Sequence, residues 1–127
     1  MRTVLLIGVM ALSGTAVNTS PNETRETWTG WFSDARCARP PAEDELVRPN
    51  GTVCVKRCLD EGATPVFLSE QVNAIFTVRD HATVKDDVGY RVEIAASVDH
   101  RAKSLSVLSV KRLSEVTPMC LLPRKKG

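Results

Sequence analysis

The sequence has few of the residues from which catalytic or nucleic-acid-binding surfaces are built. It contains only two histidines and six aromatic residues, and it has no P-loop, G-x-S-x-G or H-E-x-x-H motif. Residues 17–123 carry 13 basic and 15 acidic side chains, so no basic face for nucleic acid is predicted. We therefore expect neither an enzyme nor a nucleic-acid-binding protein, and a partner would be a protein or a small molecule.

The chain also lacks an apolar run of the ~20 residues that a membrane-spanning helix needs. The apolar run at residues 3–12 is shorter, follows Arg2 and is followed by the small residues Gly14 and Ala16. This order is typical of a cleaved signal peptide over residues 1–16. We expect a periplasmic or extracellular protein with no integral membrane segment after cleavage.

The remaining length fits one domain. Residues 17–27 are polar and predict a flexible lead-in, residues 28–113 form the predicted domain, and residues 114–127 form a C-terminal tail with a basic end.

Hydrophobic periodicity predicts a mainly β domain. Apolar and polar residues alternate from Tyr90 to Val98, whereas the parity changes between Val107 and Leu108 and indicates a bulge. Gly30 inside the first strand indicates a bulge or a close backbone crossing. The predicted strands are 28–34, 65–69, 74–79, 90–98 and 104–113. The order favours a small five-stranded OB-like barrel, with an α+β sandwich as the alternative.

One short helix is predicted between the first two strands, over about residues 53–61, with Thr52 as its cap and Gly62 ending it. Helical spacing places Val55, Cys58 and Leu59 on one stripe facing the core. The other predicted core residues are Trp28, Phe32, Phe67, Phe76, Tyr90 and Ile94, while Trp31 could be exposed.

Three segments together resemble a known kind of protein. They are Trp28 to Cys37 (WTGWFSDARC), Cys54 to Ala63 (CVKRCLDEGA), and the strand that opens with Gly89-Tyr-Arg-Val92. This TGxxxDxxC…CxxxC…GA pattern is similar to small exported bacterial domains of unknown function. The resemblance implies a small exported OB-like barrel and no known activity.

Four cysteines in an exported domain predict disulfides, and three full pairings are possible. Cys54 and Cys58 lie one helical turn apart and point the same way, which suits a shared third partner better than a bond to each other. We expect Cys37 to bond one of them. The other helical cysteine then stays free or pairs with Cys120.

Two alternatives use the same residues. Asp34, Cys37, Cys54 and Cys58 could bind zinc or copper, although Asp34 is better suited to capping a turn. A redox-active thiol pair would instead need a lowered thiol pKa. His81 and His100 lie in predicted turns, and we expect them to be solvated. The favoured interpretation is a disulfide-stabilised binding or structural module without a cofactor.

Overall fold

The computed structural model describes residues 22–80 and 84–116. In chain order these form β1 (Glu23–Asp34), α1 (Thr52–Asp60), β2 (Pro65–Ser69), β3 (Ala74–Val78), α2 (Val84–Asp87), β4 (Tyr90–Asp99) and β5 (Ser104–Glu115). Within these residues, no helix has the length and apolar character needed to cross a bilayer.

The five strands close into a ring in the order β1-β2-β3-β5-β4. Neighbouring strands are antiparallel except β3 and β5, which are parallel. β1 closes the ring because its first part pairs with β4 and its second part with β2. The predicted five-stranded mainly β fold, with a short helix between the first two strands, is confirmed. The alternative α+β sandwich does not form.

β1 changes partner at Gly30, which is in register with Val92 of β4 and Ser69 of β2. A Cβ atom on Gly30 would lie 1.8 Å from the carbonyl oxygen of Leu68. No side chain fits in that space, so glycine is required by the close passage of two backbones. The predicted close crossing at Gly30 is confirmed.

The alternation of β4 is also confirmed, because Val92, Ile94, Ala96 and Val98 are fully buried. Apolar side chains from the other strands and both helices complete one core beneath them. Its remaining buried members are Trp28, Phe32, Val55, Phe67, Phe76, Val78, Val84, Val88 and Leu105. Leu59 and Tyr90, also predicted as core, are partly buried and pack against this cluster.

β1 begins at Glu23, five residues before the predicted start, so part of the predicted flexible lead-in is strand. This polar arm pairs with β4 from Glu23 opposite Asp99 to Thr27 opposite Ala95. Its sequence lacks apolar alternation because most of its side chains face solvent. This segment is a strand because it pairs with β4, and its local composition does not indicate that pairing.

β5 contains the predicted bulge and continues two residues beyond its predicted end, to Glu115. Its register shifts so that Ala95 opposes Ser109 while Ala96 opposes Val107. Leu108 is skipped by this pairing and is 49% exposed. The change of parity in the sequence therefore marks the bulge correctly.

Helix α1 begins differently from the prediction. Gly51 is the N-cap, no side chain caps the helix, and the Thr52 hydroxyl is buried without a hydrogen-bond partner among the described residues. The predicted end is correct, since Gly62 has φ +92° and the next amide, Ala63, bonds the Cys58 carbonyl at 2.9 Å. Val55 is fully buried and fixes the helix on the barrel.

Candidate functional site

Asp34 ends β1 and organises the turn that follows. Its Oδ1 accepts hydrogen bonds from the backbone N–H groups of Arg36 at 2.8 Å and Cys37 at 3.0 Å. Aspartate commonly caps turns in this way, so the predicted capping role is confirmed. Asp34 is fully buried, and its Oδ2 has no hydrogen-bond partner among the described residues.

The turn brings Cys37 beside Cys58 of α1, with the two Sγ atoms 3.9 Å apart. A disulfide requires ~2.05 Å, so these two residues are thiols in contact. The ligand atoms of Asp34, Cys37 and Cys58 all lie within 4.8 Å of one another. Three of the four residues predicted as alternative metal ligands therefore form one cluster.

The environment of Cys37 does not activate its thiol. Burial raises the pKa of Cys37 to about 12, and the Asp34 carboxylate and the Cys58 sulfur contribute to the same rise. A nucleophilic or redox-active thiol needs a lowered pKa, because the thiolate is the reactive form. The surroundings of Cys37 therefore do not provide the lowered thiol pKa that the redox interpretation requires.

Cys54 does not join the cluster, although it lies one helical turn before Cys58. Its sulfur takes part in a disulfide and does not titrate as a thiol. The structure thus places Cys58, and not Cys54, against Cys37, and no disulfide links two cysteines within the described ranges. The predicted disulfide from Cys37 to a helical cysteine is therefore wrong, because the two sulfurs only touch. Cys120, the other predicted disulfide candidate, lies outside those ranges.

Asn50 fastens the loop next to the cluster. Its Oδ1 accepts a hydrogen bond from the buried Ser33 hydroxyl at 2.6 Å, and its Nδ2 donates to the Cys37 carbonyl at 3.1 Å. One side chain therefore ties β1, the Asp34 turn and the start of α1 together. The sequence indicates only a turn at residues 49–51, since these contacts depend on the tertiary fold.

A cleft of about 560 Å³ opens between this loop and the start of α1. Its lining includes the guanidinium-bearing residues Arg36, Arg39 and Arg48, three prolines, Leu46 and one acid, Glu45. Cys37 and Cys54 also contribute to the lining. The cleft is thus predominantly cationic with apolar walls, and it borders the cysteine cluster.

The arginines differ in their availability. Arg36 pairs with Glu61 at 3.2 Å, and both side chains are more than half exposed. Across residues 22–80 and 84–116, neither Arg39 nor Arg48 forms an ion pair. Two guanidinium groups beside the cleft are therefore available for an anion.

The cleft wall is held in place by the β2–β3 turn. The backbone N–H of buried Val47 donates to the Asn73 Oδ1 at 2.7 Å, and the Asn73 Nδ2 donates to the Glu45 carbonyl at 2.7 Å. Bonds to both sides of Leu46 hold it outward, and it is 74% exposed. These two hydrogen bonds therefore anchor residues 45–47 of the loop to the β2–β3 turn.

The other candidate residues lie elsewhere. His100 is exposed in the β4–β5 turn, where its Nε2 lies 2.5 Å from the Glu26 carboxylate and its ring meets Trp28 edge-on. His81 lies outside the described residues. Trp31, predicted as potentially exposed, is half-buried and packs with Val47 and its neighbours.

Sequence reasoning missed the cleft and the role of Asn50. The density of arginine and proline in residues 36–49 was the available signal. No family model, curated protein or solved structure matches the chain. The resemblance to small exported bacterial domains therefore stays a prediction, and the site has to be interpreted from its own geometry.

Proposed function

We propose that the protein is an exported, disulfide-stabilised β-barrel binding module, periplasmic or extracellular, whose cleft takes a small anionic ligand with an apolar part. The observation that carries this proposal is a pair of guanidinium groups, Arg39 and Arg48, beside a cleft with proline and leucine walls. Neither group forms an ion pair with any residue that the structure describes. The exported location rests on the signal-peptide pattern of residues 1–16.

The cleft shares its volume and the chemistry of its lining with small-molecule sites. Its volume lies within the ~300–1,000 Å³ typical of such sites, and a few charged groups stand on mostly apolar walls. Guanidinium groups bind carboxylates and other oxyanions through paired N–H donors. Asn50 links the two ends of the loop through the Cys37 carbonyl, and Asn73 holds Glu45 and Val47, so these contacts reduce the ordering required on binding.

The stabilising disulfide is proposed to join Cys54 and Cys120. This proposal is supported by the count of cysteines: the chain has four, and Cys37 and Cys58 are thiols in contact with each other. In the chain-entropy treatment, a loop of this length contributes roughly 4 kcal/mol by restricting the unfolded chain. The bond would secure the helix that forms one wall of the cleft.

Two fluorescent probes of similar shape test the ligand class. Anilinonaphthalene sulfonate is an anion with an apolar body, and phenylnaphthylamine is its uncharged relative. We expect the anion to bind with one-to-one stoichiometry. The Arg39→Gln/Arg48→Gln variant should weaken that binding about tenfold, because each exposed charge pair contributes up to ~1 kcal/mol. Phenylnaphthylamine binding should change little.

The matched control is Arg25→Gln/Arg101→Gln, which removes the same charge from exposed positions that do not line the cleft. It should leave both probes unaffected beyond the small effect of net charge. Equal loss of anion binding in both double variants would show that only overall charge matters, and would contradict the proposed site.

A further inference from the structure

Among the residues that the structure describes, no group forms a hydrogen bond with the buried Oδ2 atom of Asp34. The other carboxylate oxygen, Oδ1, accepts hydrogen bonds from two backbone N–H groups. The carboxylate cannot rotate to bring Oδ2 to another donor without losing these two bonds. Burying an unsatisfied carboxylate oxygen is costly, and such atoms commonly mark an ion or a water. Two other groups that can bind a metal, the Cys37 and Cys58 sulfurs, lie within 4.8 Å of the Asp34 ligand atom.

The sulfur separation distinguishes a metal site from a disulfide. Two sulfurs at ~2.3 Å from one zinc ion, at a tetrahedral angle, lie ~3.8 Å apart. The Cys37 and Cys58 sulfurs are separated by 3.9 Å, which is nearly twice the length of a disulfide bond. The pair is therefore already spaced as two ligands of one tetrahedral ion.

The donor set selects among metals. Copper(I) favours sites made of sulfur alone, whereas zinc accepts thiolate and carboxylate together. Three protein ligands leave one tetrahedral position for water or another ligand. Cys37 also lines the cleft, so the cluster can be reached from solvent. Cys54 is excluded from the set because its sulfur is in a disulfide.

We propose that Asp34, Cys37 and Cys58 form a zinc site with three protein ligands at the inner edge of the cleft. On binding, each thiol releases its proton to solvent, and the ion becomes a ligand partner for Asp34 Oδ2, which has no hydrogen-bond partner among the described residues. The site stands independently of the proposed anion binding, since it uses none of the cleft arginines.

Cobalt(II) titration tests the ligands directly, because thiolate coordination produces charge-transfer absorption in the near ultraviolet. Free thiols at Cys37 and Cys58 are first counted by peptide mass mapping of protein purified from the exported fraction. We expect one equivalent of cobalt to give this absorption and one equivalent of zinc to displace it. Cys58→Ser and Asp34→Asn should weaken zinc binding by more than ~100-fold, since loss even of residues that only orient ligands costs ~10–100-fold.

Asp60→Asn is the matched control, because Asp60 is an exposed carboxylate of α1 that pairs with Lys85. It should bind zinc as the wild type does. A second measurement uses the wild-type protein, so that it does not depend on whether the variants fold. Zinc should protect Cys37 and Cys58 from alkylation. A Cys37–Cys58 disulfide in the exported protein, cobalt binding without thiolate absorption, or equal alkylation with and without zinc would overturn the proposal.

Discussion

Gly30→Ala should be among the most damaging single substitutions in the barrel, although it adds one methyl group. The new Cβ would lie 1.8 Å from the Leu68 carbonyl oxygen and 3.1 Å from the Phe67 ring. An ordinary contact would require β1 and β2 to move apart by more than 1 Å at a point where β1 is hydrogen-bonded on both sides. We expect the free energy of unfolding to fall by ~3 kcal/mol or more, since overpacking in tight cores costs about 1–3 kcal/mol even where the backbone can adjust.

Gly62→Ala provides the comparison, because Gly62 has φ +92° but nothing lies within 4 Å of the added Cβ. Its cost should be only the ~1–2 kcal/mol of a left-handed conformation. Thermal unfolding followed by circular dichroism would separate the two, since each kcal/mol shifts Tm by ~4–8 °C in a domain of this size. Equal destabilisation by the two substitutions would refute the argument that backbone proximity at Gly30 closes the ring.

Further predictions concern the core, the loop and the response to pH. Val55→Ala should lower the unfolding free energy by ~2–3 kcal/mol because Val55 is fully buried, whereas Val53→Ala, at a position 70% exposed, should change it by less than ~0.5 kcal/mol in the same denaturant titration. Ser33→Ala should lower the unfolding free energy by ~1–3 kcal/mol, since Asn50 Oδ1 loses its donor; an unchanged denaturation midpoint would show that the Ser33–Asn50 hydrogen bond does not stabilise the loop. Hydrogen bonds from Arg79 and Ser97 lower the pKa of Glu23 below its ordinary value of 4.5. The stabilising effect of its carboxylate is therefore complete above that pH and is lost as pH falls through the lowered pKa, so wild-type Tm should drop more steeply on acidification than that of Glu23→Gln. Parallel Tm profiles would contradict this assignment.

Much of the fold could be predicted because its causes are local. The alternation in β4, the parity change at Leu108 and the glycine after α1 each follow from the geometry of one element. The extension of β1 to Glu23 could not be predicted, since it depends on pairing with a strand some 70 residues later. Periodicity reports burial, and this polar arm is mostly exposed.

The candidate site could also be predicted only where its causes are local. Helical spacing correctly indicated that Val55 and Leu59 pack on the core, whereas Cys58, predicted on the same stripe, meets Cys37. The D-x-x-C spacing suited a capped turn. Which helical cysteine meets Cys37 depends on how α1 is rotated against β1, and spacing alone left both open. The cleft forms only because the loop bonds Asn73 of a distant turn. In the sequence, the cleft arginines are therefore visible only as a local richness in arginine.

Heteronuclear NMR of the arginine side chains tests the proposed binding cleft most directly. During titration with anilinonaphthalene sulfonate, the Nε–H signals of Arg39 and Arg48 should shift together and saturate at one equivalent. Those of Arg25 and Arg101, which lie outside the cleft, should stay in place. Saturating shifts confined to Arg25 or Arg101, or no saturating shift at either cleft arginine, would contradict the account.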